Sequence, residues 1–572
     1  MCIKETIKIY MCKDGDKMSM EFKFNEERKR EYRKMGYWGD ATLADYWQTT
    51  VLKVPEKVAV IDLQGSIYTY AELDDAAGRV ATFLKKVGVT PGDIVSVQLP
   101  GWSEFTVIYV ACLKIGAVIN PICTRIHADE LLYILNNCET KVLFIPSEFK
   151  NYDYAEMLKS ISPKIPSLRS VVVVDKGKKV VNGITLEKVI REHSSLECNS
   201  KCSADDLAAV MVTSGTESFP KCVMLTHNNI ISSEKAFAAS INFNYLDIML
   251  MPAPVTHATG FHHGVTLPFM LGAKSVLQDI FNSDTSLSLI ENEKCTVSMG
   301  STPFVYDILI ALKKKKYNIS SLRFFICGGA PIPRHMVKEA LKEGIKIIGC
   351  YGATESVPHT VVRPDDPIER VINTDGLVVQ GTEIRAVDEK RRPVAAGVEG
   401  EEASRGPNVF MGYLKEPELT AHVLDEDGWY YGGDLCIIDN NGYIKITGRK
   451  KDIIIRGGEN VSCNEIEELL LQHPNIRETG VVGMFDERLG ERICAYVVLN
   501  DPSKGLTLEE IKAFLCKKNV CKGKHPERIE IVESLPRTMS GKVQKFVLRK
   551  FIKEKLEKEK KIIDRLPILI SK

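Results

Sequence analysis

Residues 206–229 read DLAAVMVTSGTESFPKCVMLTHNN, and the order of residue types along them decides the fold class. An apolar run reaches Thr213-Ser214-Gly215-Thr216, passes through Glu217-Ser218-Phe219-Pro220-Lys221, and resumes as a second apolar run. Short runs rich in β-branched residues, bounded by Gly, Pro and hydroxyl residues, read as strand, loop and strand. Hydroxyls, exposed backbone N–H groups and one lysine on a tight loop suit a polyphosphate. The spacing G-x-x-x-x-G-K-[ST] is absent, so this is not a Walker-type loop. A plain Ser/Thr-rich connection is the competing reading, because such loops are common.

On both sides of this loop, short apolar strands alternate with helical patterns. VAVIDLQGSIYTY (58–70) has a central turn, and AELDDAAGRVATFLKKVG (71–88) has helical periodicity with a closing glycine. DIVSVQLPGWSEFTVIYVACLKIGAVINPIC (93–123) repeats strand, helix, strand, and KVLFIPS, SVVVVDK, KSVLQDIF, CTVSMGS, RFFICGG and KIIGCYG are further strands. The alternation predicts α/β layers with largely parallel sheets and ligands in the loops after the strand carboxyl ends. After Trp429 the pattern changes. CIIDNNGYIKIT (436–447) reads as a hairpin about Asn440-Asn441-Gly442. A polar linker at 448–451, a strand, Gly457-Gly458 and a helix follow, with Ser462 and Glu465 at capping-box spacing. The fold class is therefore α/β: a large N-terminal domain of layered α/β subdomains plus a small α+β C-terminal domain. The expected division is an extension over 1–20, the large domain over 21–448, a hinge at 449–452, the small domain over 453–555 and a tail over 556–572. The chain end from 551 reads as a charged helix at 551–562 that ends in a short apolar patch, which leaves peripheral membrane contact open.

Bulk composition agrees with several folded units, since 572 residues at about 150 per domain gives three or four. With 76 Lys+Arg against 75 Asp+Glu, the net charge of +1 excludes a polybasic nucleic-acid binder. At 44% hydrophobic and 26% charged, disorder and collagen-like repetition are excluded as well. The 16 cysteines are scattered, the nearest spacings being Cys198/Cys202 and Cys516/Cys521, which predicts reduced thiols in a cytoplasmic protein. Residues 105–123 are apolar but interrupted by Lys114, Asn120 and Pro121, so a buried helix followed by a strand is expected there, not a membrane span.

Three further segments raise the reading of the loop. CYGATES (350–356) offers the ring of Tyr351, the hydroxyl of Thr354 and the carboxylate of Glu355: a base-stacking ring, a phosphate contact and a Mg²⁺ ligand, or else a turn with a helix cap. Asp434 in WYYGGDL ends a predicted strand, where a carboxylate can take both hydroxyls of a ribose; the alternative is a turn aspartate. Lys542 in PRTMSGKVQKFVLRK lies on a Thr/Ser/Gly segment, and a surface lysine is its bland reading.

Together these segments resemble the adenylate-forming superfamily of acyl-CoA synthetases, peptide-synthetase adenylation domains and luciferases. TSGTESFPKCVMLTH, PAPVTHATG, YGATES, GWYYGGD, ITGRKKDIIIRGGENVSCNEIE and PRTMSGK occur in that family's order. Over residues 20–555 the chain is more closely similar to bacterial short- and medium-chain fatty acyl-CoA synthetases, through FNEERKREYRKMGYWGDATLADYW, LPGWSEFTVIYVACLKIGAV, PAPVTHATGFHHGV and EGEEASRGPNVFMGY. The resemblance implies ATP, Mg²⁺ and CoA, with a fatty acid activated to acyl-AMP and passed to the CoA thiol. It implies that Thr213, Ser214, Gly215, Thr216 and Lys221 hold the β/γ-phosphates. Tyr351 and Gly352 would line the adenine, Thr354 touch the α-phosphate, and Glu355 with Thr216 bind Mg²⁺. Asp434 and Arg449 would hold the ribose, and Lys542 would bridge acyl carboxylate and α-phosphate. Lys451 would be the pivot of the small domain, and Gly457 and Gly458 would meet pantetheine. His257, Gly329 and Ala330 would shape the acyl pocket. Ala258 follows His257 and no carboxylate is near it, which disfavours an amino-acid substrate, because a buried ammonium would lack a partner. Ser218 and Cys222 depart from the glycines usual in the family. Two alternatives stay open: an acyl-AMP ligase that loads a carrier protein, and a homologue that binds acyl or nucleotide ligands without turnover. Dimers are common among similar proteins, and the sequence defines no interface for one.

Overall fold

The computed structural model describes residues 26–176, 183–197, 202–213, 220–329, 332–457, 459–538 and 541–565. Two sheets dominate the first two thirds of the chain. Six strands of the nine-stranded sheet run parallel: Ile347–Ala353, Phe324–Gly328, Val297–Gly300, Ile248–Met251, Lys274–Leu277 and Val58–Asp62, in that spatial order. Ser356–Val361 and Ile67–Thr69 pair antiparallel towards its two edges. In the seven-stranded sheet all neighbours are parallel except Leu207–Thr213 and Lys221–Thr226. Parallel strands need helical crossovers on their faces, so both sheets are covered and their strands are continuous apolar runs.

The segment suspected of being too apolar folds as the helix Ser103–Ile115, every residue of which is buried, followed by the strand Val118–Pro121. Phe105 and Tyr109 on that helix meet Phe261 at ring-centroid distances of 6.4 and 4.8 Å, where it packs against the π-helix Thr259–Thr266. Among the described residues, no helix is long and apolar enough to cross a membrane.

The change of pattern falls earlier than Trp429. A four-stranded antiparallel sheet already begins at Glu383–Val387 and continues through Glu399–Arg405, Tyr430–Ile438 and Ile444–Arg449. Asp434 consequently sits in mid-strand and does not end one. The predicted linker is also shorter than 448–451, because Gly448 and Arg449 still belong to the last strand, and a single 3-10 turn, Lys450–Asp452, makes the break.

Beyond that turn lies a separate small sheet of five strands, with its own core around Ile454, Ile466, Val481, Ile493 and Val497. Ser462 caps the helix Cys463–Leu470 by accepting from the Glu465 N–H, which is one half of a capping box. The terminal helix is longer than the predicted 551–562: it spans Lys545–Arg565 and seats Leu548 and Ile552 on the face of the sheet formed by Val482 and Met484. The apolar end of the tail lies outside the described residues.

Candidate active site

The carboxyl ends of the parallel strands gather the predicted residues from distant parts of the chain. Thr213 closes Leu207–Thr213 and pairs with Lys221, the first residue of the returning strand. Ser214, Gly215, Thr216 and Ser218 lie outside the described residues, as do Ala330 and Gly458. Cys222 is buried, and its Sγ lies 3.9 Å from Cys138 Sγ and 3.5 Å from Asn137 Nδ2, so the thiol fills packing space against the end of the helix Ala128–Asn137.

Glu355 sits in the tight turn Thr354-Glu355 that joins Ile347–Ala353 to the antiparallel Ser356–Val361, so no helix cap is involved. Its Oε1 accepts the hydroxyl of Tyr413 at 2.7 Å, and the Lys221 ammonium lies 5.0 Å from the centroid of that same ring. Tyr413 therefore joins Lys221 to the carboxylate of the YGATES turn. Buried beside that charge, its phenol is pushed far up.

Asp434 accepts on both oxygens: Arg449 Nε donates to Oδ1 at 2.6 Å and the Tyr351 hydroxyl to Oδ2 at 2.9 Å. The Tyr351 ring stands edge-on to His359 at 5.0 Å, and His359 Nδ1 is bonded to Glu402 at 3.1 Å. The Asp434 charge raises the Arg449 guanidinium further above its ordinary value, against the effect of burial. Gly352 and Ala353 continue the Tyr351 strand on the floor of the site.

Lys542 arrives from the small domain. Its Cε is 3.3 Å from where a Cβ on Gly329 would stand, and the neighbouring Gly541 has a φ of +82° with a Cβ position only 2.6 Å from Ser301 Oγ. A side chain at 541 would be strained in its backbone and would collide with the large domain, so the lysine loop can enter only as glycine. Burial lowers the Lys542 ammonium pKa and the Arg449 charge lowers it further, while Asp434 and Glu355 pull it back up. His257 is pushed down to about 4 by burial and then by the Lys542 charge, and its Nδ1 accepts the Thr259 N–H at 3.2 Å. The imidazole is thus neutral with its proton on Nε2, a donor.

Two predicted residues stand apart from this cluster. Lys451 is exposed in the turn Lys450–Asp452. Gly457 is exposed on the small domain, and its φ of +61° is the local reason for glycine: a Cβ there would meet only Leu489 Cδ2 at an ordinary 3.4 Å. Behind the acyl-pocket segment lies a cluster that motif reading did not single out. Glu234, fully buried, contacts His262 Nδ1 at 3.3 Å and His263 Nδ1 at 3.0 Å. Burial opposes its charge, but the imidazoles of His263 and His262 prevail and hold the carboxyl at about 2. Histidine at successive positions on a predicted apolar segment was the available signal.

A large α/β body that brings Tyr351, Glu355, Asp434 and Arg449 together, with a lysine delivered by a small second domain, defines an adenylate-forming enzyme. The AMP-binding enzyme family matches residues 47–414, and its C-terminal domain matches 465–542; the chain belongs to this family. It is 52% identical to a medium-chain fatty-acid–CoA ligase of Escherichia coli (strain K12), over 95% of this chain and 96% of that protein. Among solved structures it is similar to ATP-bound MatB from Rhodopseudomonas palustris, with a TM-score of 0.81, 30% identity, and coverage of 89% of this chain and 99% of that one. Against apo MatB, also 30% identical and covering 90% and 99%, the TM-score is 0.73.

Proposed function

We propose that the chain is an ATP-dependent fatty acid–CoA ligase that first forms acyl-AMP and pyrophosphate and then passes the acyl group to CoA. The supporting observation is the convergence of Lys542 with Asp434, Arg449, Glu355 and His257 at one spot, although these residues come from separate sheets and separate domains. A carboxylate attacking a phosphate is an encounter of two anions, so catalysis must come from positioning and fixed positive charge.

In this reading Asp434 takes the ribose hydroxyls, its carboxylate aimed by Arg449, and Tyr351 and Gly352 border the base. Thr213 and Lys221, with Ser214, Gly215 and Thr216, hold the β/γ-phosphates, and Thr354 contacts the α-phosphate. Glu355 fits a Mg²⁺ that binds through one or two protein carboxylates and the phosphates, because Tyr413 fixes one of its hard oxygens. When bound, that ion neutralises phosphate charge. His257 Nε2–H and the Lys542 ammonium orient the acyl carboxylate, and Lys542 spans to the α-phosphate as charge develops. Ala258, Gly260 and Phe261 present a buried apolar surface to the chain. The 52% identity to a medium-chain ligase argues for an acid of medium length. For the second step, rotation at Lys451 withdraws Lys542 and turns Gly457 and Gly458 towards pantetheine; the exposure of Gly457 on the small domain accords with the first-step pose.

The test is pyrophosphate release with fatty acids of graded length, with and without CoA. Acid-dependent release peaking at medium length, with a CoA thioester as product, is expected. Release without thioester would favour a carrier-loading ligase, and no release at all would favour a non-catalytic homologue.

A further inference from the structure

We propose that Arg549 is a positioning residue: it clamps the residues that follow the pivot to the helix that begins three positions after Lys542, so that pivot and catalytic lysine move as one lever. The inference rests on the reading of Lys451 as pivot and Lys542 as the adenylating lysine. Arg549 NH1 donates to Asp452 Oδ1 at 3.0 Å and to the Lys451 carbonyl at 3.4 Å. The same carboxylate faces Lys545, whose ammonium lies 4.0 Å from Asp452 Oδ2, 3.0 Å from Glu467 Oε1 and 3.1 Å from Asn464 Oδ1. Burial works against the Lys545 charge, and the Glu467 and Asp452 carboxylates outweigh it. Glu467 is itself held by the Val481 N–H at 2.7 Å. Arg549, Asp452, Lys545 and Glu467 thus form a chain of alternating charge, with Asp452 between the two cations.

The rest of the lever is equally fixed. Upstream of the lysine, Arg537 donates to the Gly541 carbonyl at 2.5 Å and to Glu478 at 2.6 Å. Downstream, Arg528 grips Glu559 and Lys555 grips Glu530, each at 2.6 Å, which ties the terminal helix to the strand Arg528–Ile531. The carbonyl of Lys451 belongs to the peptide plane shared with Asp452, so capturing it confines rotation to the bonds on the amino side of that plane. Without Arg549, the first link between pivot and lever is loose while every other link stays.

The experiment compares the full chain with Arg549→Gln, Arg549→Lys, Asp452→Asn and Arg549→Gln/Asp452→Asn, using Lys542→Ala as control. It follows tryptic cleavage at 449–451, acyl-AMP formation, thioester formation from supplied acyl-AMP, and thermal unfolding. Arg549→Gln is expected to speed hinge cleavage several-fold and to lower adenylation kcat about tenfold to a hundredfold, with the KM for ATP held within about twofold and thioester formation within about threefold. Arg549→Lys recovers part of the loss, since an ammonium reaches the carboxylate but lacks the planar fork. The double variant is no worse than Arg549→Gln, because both changes break one network. Cleavage at the wild-type rate overturns the proposal, as does an equal fall in both half-reactions with a lowered Tm. Adenylation intact in Lys542→Ala would instead overturn the site reading, and the cleavage rates would still judge the clamp.

Discussion

Arg449 and Asp434 face each other in register on adjacent antiparallel strands and are joined by a bond of 2.6 Å from guanidinium to carboxylate. The pair lies beside Lys542 and acts on it with opposite signs: Arg449 disfavours its proton and Asp434 favours it. The pair proposed to hold the ribose therefore also biases the protonation of Lys542, on top of the larger effect of burial.

The pH dependence of adenylation follows from that relationship. Burial and Arg449 place the Lys542 pKa below its ordinary 10.5, and the protonated amine is the active form, so activity is lost as pH rises through the lowered value. Asp434→Asn removes a carboxylate that raises this pKa and shifts the alkaline limb to lower pH when ATP is saturating. His257, held at about 4, stays neutral through the assay range and adds no limb near 6.5. An alkaline limb that does not move in Asp434→Asn would contradict the coupling.

Lys542→Ala separates the two half-reactions. Removing a positioned cation from developing phosphate charge is expected to cost about 10²–10³ in acyl-AMP formation. Thioester formation from supplied acyl-AMP should largely persist, because the proposed rotation withdraws the lysine before that step. Equal loss in both steps, measured by single-turnover assay, would refute the assignment.

The parallel sheets were legible because strands buried on both faces are unbroken apolar runs, as in VLFIP and VVVV. The site loops could be located for the same reason, since they follow the strand ends. The antiparallel sheet was harder to read: Glu399–Arg405, with the sequence EGEEASR, alternates charge with small residues and does not stand out as a strand. Asp434 was chosen for its chemistry, but its neighbours fixed its place in mid-strand. Tyr413 and Glu355 are 58 residues apart and Arg549 and Asp452 are 97 apart, and no local pattern encodes such partners. The Glu234 cluster was missed because its signal, adjacent histidines in an apolar segment, reads equally well as core.

Tyr413→Phe tests the link between Lys221 and the Glu355 turn. The ring under Lys221 remains while the 2.7 Å bond to Glu355 is lost. A net loss of about 1.5 kcal/mol, the lower end for a bond to a charged group, corresponds to a rise of roughly tenfold in the KM for Mg-ATP. The KM for the fatty acid should hardly change. A Tyr413→Leu comparison adds the loss of the ring and should be worse; an acid KM that rises as much as the ATP KM would show a general disturbance instead.

Asp375 offers a test of stability away from catalysis. It lies where the large domain backs onto the Ile444–Arg449 strand, its Oδ2 accepting the Ile446 N–H at 2.8 Å. Burial pushes its pKa from 3.8 up to about 6, against that bond and the nearby Lys445, with Glu468 of the small domain adding to the rise. A carboxyl raised in the folded state binds its proton more tightly there than in the unfolded chain. Its contribution is therefore most unfavourable above pH 6, and it is relieved as pH falls from 6 towards 4. Asp375→Asn keeps an oxygen for Ile446 and removes the charge, so Tm at pH 8 should rise by about 2 °C. The gain should shrink steadily to pH 5, where the wild-type side chain is itself largely protonated. A Tm that drops at pH 8, or a gain independent of pH, would mean that the carboxylate is stabilised by its surroundings and not penalised by them.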